Sequence, residues 1–196
     1  MRSTWAVAAA VTMLLSIPLA VVASALGENA PEIVVHVVLG IGMLLFVRSV
    51  FDFALPRWIN VIGALSAGAF AAVFLLQAVS RLFPENAALD DLAFGLLGNW
   101  PELVLVLGID VWFLGLLLLG TEGRTRLLGW ALIPIITVYH LISLAGIILA
   151  ISVPSLGVLS LLLPFVWFLI EGAKGGESAG LGPRRPDTEH VEAPAA

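Results

Sequence analysis

The sequence predicts an all-α protein, a polytopic transmembrane bundle of about six helices with both termini on the cytoplasmic side. Three observations carry this. Of 196 residues, 60% are hydrophobic and 12% charged, with a mean hydropathy of +1.08, against roughly 45–50% apolar and about 25% charged in soluble domains. Apolar runs near the roughly 20 residues that a spanning helix needs recur along the chain. Lys and Arg fall in alternate connections, as the positive-inside rule requires. The absence of cysteine excludes disulfides, thiolate metal sites and cysteine nucleophiles. The expected division is a helical membrane domain over 1–172 and a disordered cytoplasmic tail over 173–196.

The first apolar run, 5–26, follows Arg2 and contains Pro18. Ala23-Ser24-Ala25 fits a signal-peptidase site, but the run exceeds the about 7–15 residues of a signal-peptide core, so a retained helix is expected beside the cleaved alternative. The second span, 31–53, opens with Asn29-Ala30-Pro31-Glu32, and the fourth, 99–120, opens with Asn99-Trp100-Pro101-Glu102. In each, Asn can cap free amides, Pro suits the first turn, and Glu can reach back to the cap. The alternative use of Glu32 and Glu102 is as outward acidic ligands.

The third span, 58–83, carries two rows of small residues, Gly63-Ala67-Ala71 and Ala64-Gly68-Ala72. Such spacing lets helix backbones approach closely. This helix is therefore expected at the centre, with Ser66 and Gln77 in reach of neighbours. Between it and the fourth span, the acidic stretch with Glu85, Asp90 and Asp91 precedes apolar 92–97, a candidate interfacial helix. The fifth span, 127–151, contains Pro134, and the short sixth, 154–171, contains Pro164. Beyond Gly172, the residues are too polar to bury a core.

With six spans, Arg2, Arg48, Arg57, Arg124, Arg126, Lys174, Arg184 and Arg185 share one side, leaving Arg81 of the nine basic residues on the other. That side is expected to be cytoplasmic, which points to a multi-pass protein of the cell inner membrane. Trp5, Trp58, Trp100 and Trp130 fall near span ends, as an aromatic belt does. The outer side collects Glu28, Glu32, Glu85, Asp90, Asp91 and Glu102, a solvated acidic rim or a cation-attracting surface. Arg48 and Asp52 form an i,i+4 pair that reads as an interfacial anchor.

The fourth and fifth spans form a hairpin around the basic connection 121–126, and each holds an ionisable group in its middle. Asp110 lies about 16 Å from the start of its helix and His140 about 16 Å from the end of its own. Matched depth on adjacent antiparallel helices permits a side-chain contact. An ionisable group at that depth costs about 2.5–3.5 kcal/mol on insertion scales, which makes it a candidate site. Burial favours the neutral forms of both groups, whereas pairing as carboxylate and imidazolium favours the charged ones, so the pair is a proton-responsive element. The structural alternative is a neutral Asp110 within the bundle and a His140 bonded to a carbonyl freed by a proline. Ser143 shares the His140 face in either case.

His36 lies about 10 Å from its helix start. A bis-histidine haem b on His36 and His140 would need equal depths, and these differ by about 6 Å. No catalytic Ser/His/Asp set, phosphate-binding glycine loop, zinc motif or nucleic-acid module is present. The expected partners are therefore the lipid bilayer and either a second copy or another membrane subunit, with no nucleic acid.

The run Trp112-Phe113-Leu114-Gly115-Leu116-Leu117-Leu118-Leu119-Gly120, followed by a short polar loop and Leu127-Leu128-Gly129-Trp130, resembles uncharacterised six-helix bacterial integral membrane proteins. The segment from Leu163 through Pro164-Phe165-Val166-Trp167-Phe168 to Gly172 is similar to their closing helix. The likeness covers the C-terminal half and implies architecture and a bacterial source, without an activity. Three classes of function remain: a non-enzymatic accessory or structural bundle, a small proton-coupled carrier using Asp110 and His140, and a b-type haem protein.

Overall fold

The structure, a computed structural model, describes residues 3–26, 29–95, 100–121, 124–149 and 158–174. All regular structure among them is helical: α1 (Thr4–Leu26), α2 (Asn29–Val50), α3 (Arg57–Leu82), α4 (Ala87–Gly95), α5 (Trp100–Gly115), a π-helical turn (Leu116–Gly120), α6 (Arg124–Ile148) and α7 (Val158–Lys174). Among the described residues, five spans are long and apolar enough to cross a membrane, the π turn extending α5 to the length required. The described part of α7, 17 residues, covers about 25 Å.

Six helices close into a ring. α1 packs on α2, α2 on α3, α3 on α5, α5 on α6, α6 on α7, and α7 returns to α1, while α4 lies against α3. The antiparallel order gathers the start of α1, the end of α2 and the starts of α3 and α6 at one end. Ser3 Oγ there donates to Asp52 Oδ2 at 2.8 Å, and Arg48 pairs with Asp52 at 3.0 Å while its guanidinium sits over the Trp5 ring. Trp5, Trp58 and Trp130 are partly exposed near the ends of their helices, consistent with an aromatic belt.

An aromatic cluster from the C-terminal halves of α2 and α5 and the middle of α7 fills the ring toward this basic end. Phe46 touches Trp112 edge-on at 4.9 Å between centroids and meets Phe113, Phe165 and Phe168 as well. Buried indoles need acceptors. Trp112 Nε1 donates to Asn60 Oδ1 at 2.9 Å, and Trp167 Nε1 donates to the Thr125 carbonyl at 2.9 Å. Asn60 in turn donates through Nδ2 to the Phe53 carbonyl, tying the α2–α3 connection to the core.

The small residues of α3 divide unequally. Gly63, Ala67 and Ala71 are buried, and a Cβ on Gly63 would lie 2.7 Å from the Trp112 ring. Ala72 of the second row is exposed, and Gly68 has no atom closer than 4.0 Å to such a Cβ. Only the first row therefore makes a close approach. Gln77, buried near the end of α3, donates to the Ala93 carbonyl and fastens α4.

Several expected boundaries differ. The second span ends at Val50, because the chain turns at 51–56 toward Pro56 before α3. The basic segment 121–126 is not all loop, since Arg124 opens α6. The short helix expected near 92–97 occupies Ala87–Gly95, where Asn86 Oδ1 accepts from the Leu89 amide, and residues 96–97 lie outside the description. α7 is described from Val158 and runs to Lys174, so two residues assigned to the tail are helical, and the expected start at 154 lies outside the described residues. Residues 151–157, the rest of the tail, and the caps expected at Asn29 and Asn99 lie outside the described groups.

Candidate functional site

Asp110 is placed by α5 and His140 by α6, on facing sides of the hairpin. Their side chains meet directly, with Asp110 Oδ2 and His140 Nδ1 2.7 Å apart and only 4% and 2% of the respective side chains exposed. Local sequence explains the placement. Gly108, two residues before Asp110, faces Ser66 so closely that a Cβ there would overlap the serine hydroxyl. Ile109 and Trp112 are buried beside it. α5 is thus wedged against α3, and Asp110 is left on the side that α6 covers.

α6 itself is largely peripheral. Leu127, Ile135 and Ile148 are each about 70% exposed, as lipid-facing side chains would be. His140 is the buried polar residue in the middle of this otherwise apolar helix. Its Nε2 is also buried and has no hydrogen-bond partner among the described residues. The carboxylic acid and imidazole together therefore leave one demand unmet in every protonation state. As carboxylate and imidazolium, the Nε2–H lacks an acceptor. As neutral acid donating to Nδ1, the proton on Nε2 again lacks one. As carboxylate with neutral imidazole, Nδ1–H is satisfied but a negative charge is buried.

Ser143, expected to join this pair, instead donates to the Tyr139 carbonyl at 2.9 Å. That is the local back-bond always open to a helical serine. Below Asp110, α5 leaves α-helical geometry at the π turn, where Thr121 Oγ1 donates to the Leu116 carbonyl five residues back at 2.9 Å. Such turns recur at functional sites. In α6, Pro134 lacks the N–H that would bond the Trp130 carbonyl, and Thr137 Oγ1 donates to the Ile133 carbonyl at 2.9 Å.

The outer-side residues separate into two places. His36 Nδ1 is 2.8 Å from the Glu32 carbonyl oxygen, and the Glu32 carboxylate points to Arg81 at 3.3 Å. Glu32 therefore takes part in a tertiary ion pair that its capping pattern did not indicate. Glu32, His36 and Arg81 line a cleft among α1, α2 and α3, and Glu102, in the first turn of α5, is not part of that lining. His36 meets Phe94 of α4 edge-on, whereas His140 meets Asp110. Sequence reasoning missed Arg81 and Asn60. Arg81 was legible as the lone basic residue of its side; the Asn60–Trp112 contact spans 52 positions and leaves no local pattern.

Comparison of the chain with protein-family profiles, curated proteins and solved structures finds no match.

Proposed function

We propose that this chain is a non-enzymatic integral membrane protein whose Asp110–His140 pair pins the peripheral helix α6 to the bundle. The observation that carries this reading is the direct 2.7 Å contact between two buried side chains on neighbouring helices. Apart from the Trp167 bond to the Thr125 carbonyl near its start, α6 joins the ring through apolar contacts, which bilayer lipids can replace at little cost. A polar contact gives one register and one rotation, since sliding or turning α6 would leave both groups unpaired in an apolar medium. In this reading the protein sits as a multi-pass bundle in a bacterial cytoplasmic membrane, basic end inside. The bilayer is the partner its exposed apolar side chains require.

The second reading is a proton-coupled carrier. It is favoured by the buried, unpartnered Nε2 of His140 and by the departures from regular helix at the π turn and Pro134. Proton flux into dye-loaded liposomes separates the two. The structural reading predicts background flux for the parent and for Asp110→Asn, with the variant altered in thermal stability. Flux present in the parent and abolished in a stable Asp110→Asn variant would transfer the conclusion to the carrier.

A further inference from the structure

We propose that the cleft between the ends of α1, α2 and α3 binds the headgroup of an aminophospholipid, a phosphate ester bearing a primary ammonium. The cleft encloses about 290 Å³ and is lined by Ala20, Ala23, Ser24, Glu32, Val35, His36 and Arg81. It lies where α1 finishes, α2 begins and α3 finishes, at the end opposite the basic one. The proposal rests on the membrane reading: if these helices span the bilayer, their ends stand in the headgroup layer.

The charges select the ligand. Arg81 and Glu32 stand side by side on the cleft as an ion pair, with Nε and Oε2 3.3 Å apart, and their side chains are 35% and 46% exposed. Arg81 Nε is buried yet makes no directed hydrogen bond to any acceptor among the described residues. That N–H is thus held beside the Glu32 carboxylate by charge rather than by alignment. The guanidinium is fixed from behind by the Phe94 ring at 4.6 Å. A simple anion attracted to Arg81 meets the Glu32 carboxylate, and a simple cation meets the guanidinium. A zwitterion satisfies both, its phosphate on Arg81 in the geometry guanidinium favours and its ammonium on Glu32.

The remaining lining fits the same ligand. With Nδ1 of a neutral His36 donating to the Glu32 carbonyl, Nε2 is an acceptor for the ammonium. Ala20, Ala23 and Val35 supply an apolar wall, and the adjoining Val21, Val22 and Leu82 are exposed, as acyl-chain neighbours would be. Quaternary headgroups lack the N–H donors that Glu32 and His36 can accept, so phosphatidylcholine is a weaker ligand. Phosphatidylglycerol has no ammonium at all.

The test is native mass spectrometry of the full chain, delipidated in detergent and titrated with single lipids. Phosphatidylethanolamine is expected to bind at one molecule per chain, at least tenfold more tightly than phosphatidylglycerol. Arg81→Gln should lower its affinity tenfold or more. Glu32→Gln should erase the preference, chiefly by strengthening phosphatidylglycerol binding. Because Arg81→Gln can also loosen the helix ends, the gain in phosphatidylglycerol binding by Glu32→Gln is the decisive readout, one that unfolding cannot produce. Free phosphoethanolamine separates the sources of the headgroup: weak competition supports the lipid, whereas binding as tight as the lipid's overturns it in favour of a soluble ester. Equal binding of both lipids, unchanged in either variant, refutes the site. A chain found outside the membrane fraction would instead refute the membrane reading beneath it.

Discussion

Replacing Gly63 by alanine perturbs the centre of the ring with a single methyl group. The new Cβ would lie 2.7 Å from Trp112 Cγ and Cδ1 and 2.8 Å from its Cβ, against about 3.5–4.0 Å for carbon atoms in contact, so something must move by about 1 Å. The indole has nowhere to go: it is 0% exposed, packed edge-on against Phe46, Phe53 and Phe168, and hydrogen-bonded to Asn60. Overpacking costs about 1–3 kcal/mol, and losing the Asn60 bond adds about 1–3 kcal/mol if the ring tilts away. The better helix propensity of alanine returns about 0.5–1 kcal/mol. A net loss of about 2 kcal/mol or more is expected. Gly68→Ala on the same helix is the control, because its Cβ would meet only Val47 at 4.0 Å; it should be neutral or stabilising by up to about 1 kcal/mol. Unfolding in mixed micelles followed by circular dichroism measures both. Equal stabilisation by the two substitutions would refute the packing argument.

Two other contacts make distinct predictions. Gly108→Ala should cost about 1–3 kcal/mol by driving its Cβ into Ser66, and adding Ser66→Gly should recover much of it; strictly additive effects in denaturation would contradict the close α3–α5 approach. Trp167→Phe removes the donor to the Thr125 carbonyl and should cost about 1–2 kcal/mol, reading the lower range of an unmade buried hydrogen bond. Faster amide exchange in the first half of α6 would accompany it, and unchanged exchange would show that this bond does not hold α6 to α7.

Much of the architecture was legible because long apolar runs leave few alternatives to a helix. Their order, alternating ends and joining lengths then give antiparallel neighbours. Asp110 and His140 could be brought together from depth alone, since adjacent antiparallel helices align their middles. What failed was local. Glu32 had a capping pattern, and its ion pair with Arg81 joins residues nearly fifty positions apart, which no local pattern records. Ser143 had the right face, yet its hydroxyl reaches its own helix first. The π turn followed no expected breaker: Leu116–Gly120 is ordinary apolar sequence, and Thr121 just beyond it supplies the hydroxyl that satisfies the Leu116 carbonyl. Ring closure by α7 also escaped the sequence, because the partner of a terminal helix is set by packing of Phe165, Trp167 and Phe168 against residues more than fifty positions away.

The pin itself is tested most directly by a double-mutant cycle on Asp110 and His140, read as unfolding free energy in micelles. His140→Leu should cost about 3–5 kcal/mol by stranding a buried carboxyl, and Asp110→Leu about 1–3 kcal/mol by stranding the imidazole. The Asp110→Leu, His140→Leu protein should return to within about 1 kcal/mol of the parent, because an apolar pair can replace a buried polar one. Single variants as stable as the parent, or a double variant no better than the sum of the two, would contradict the account.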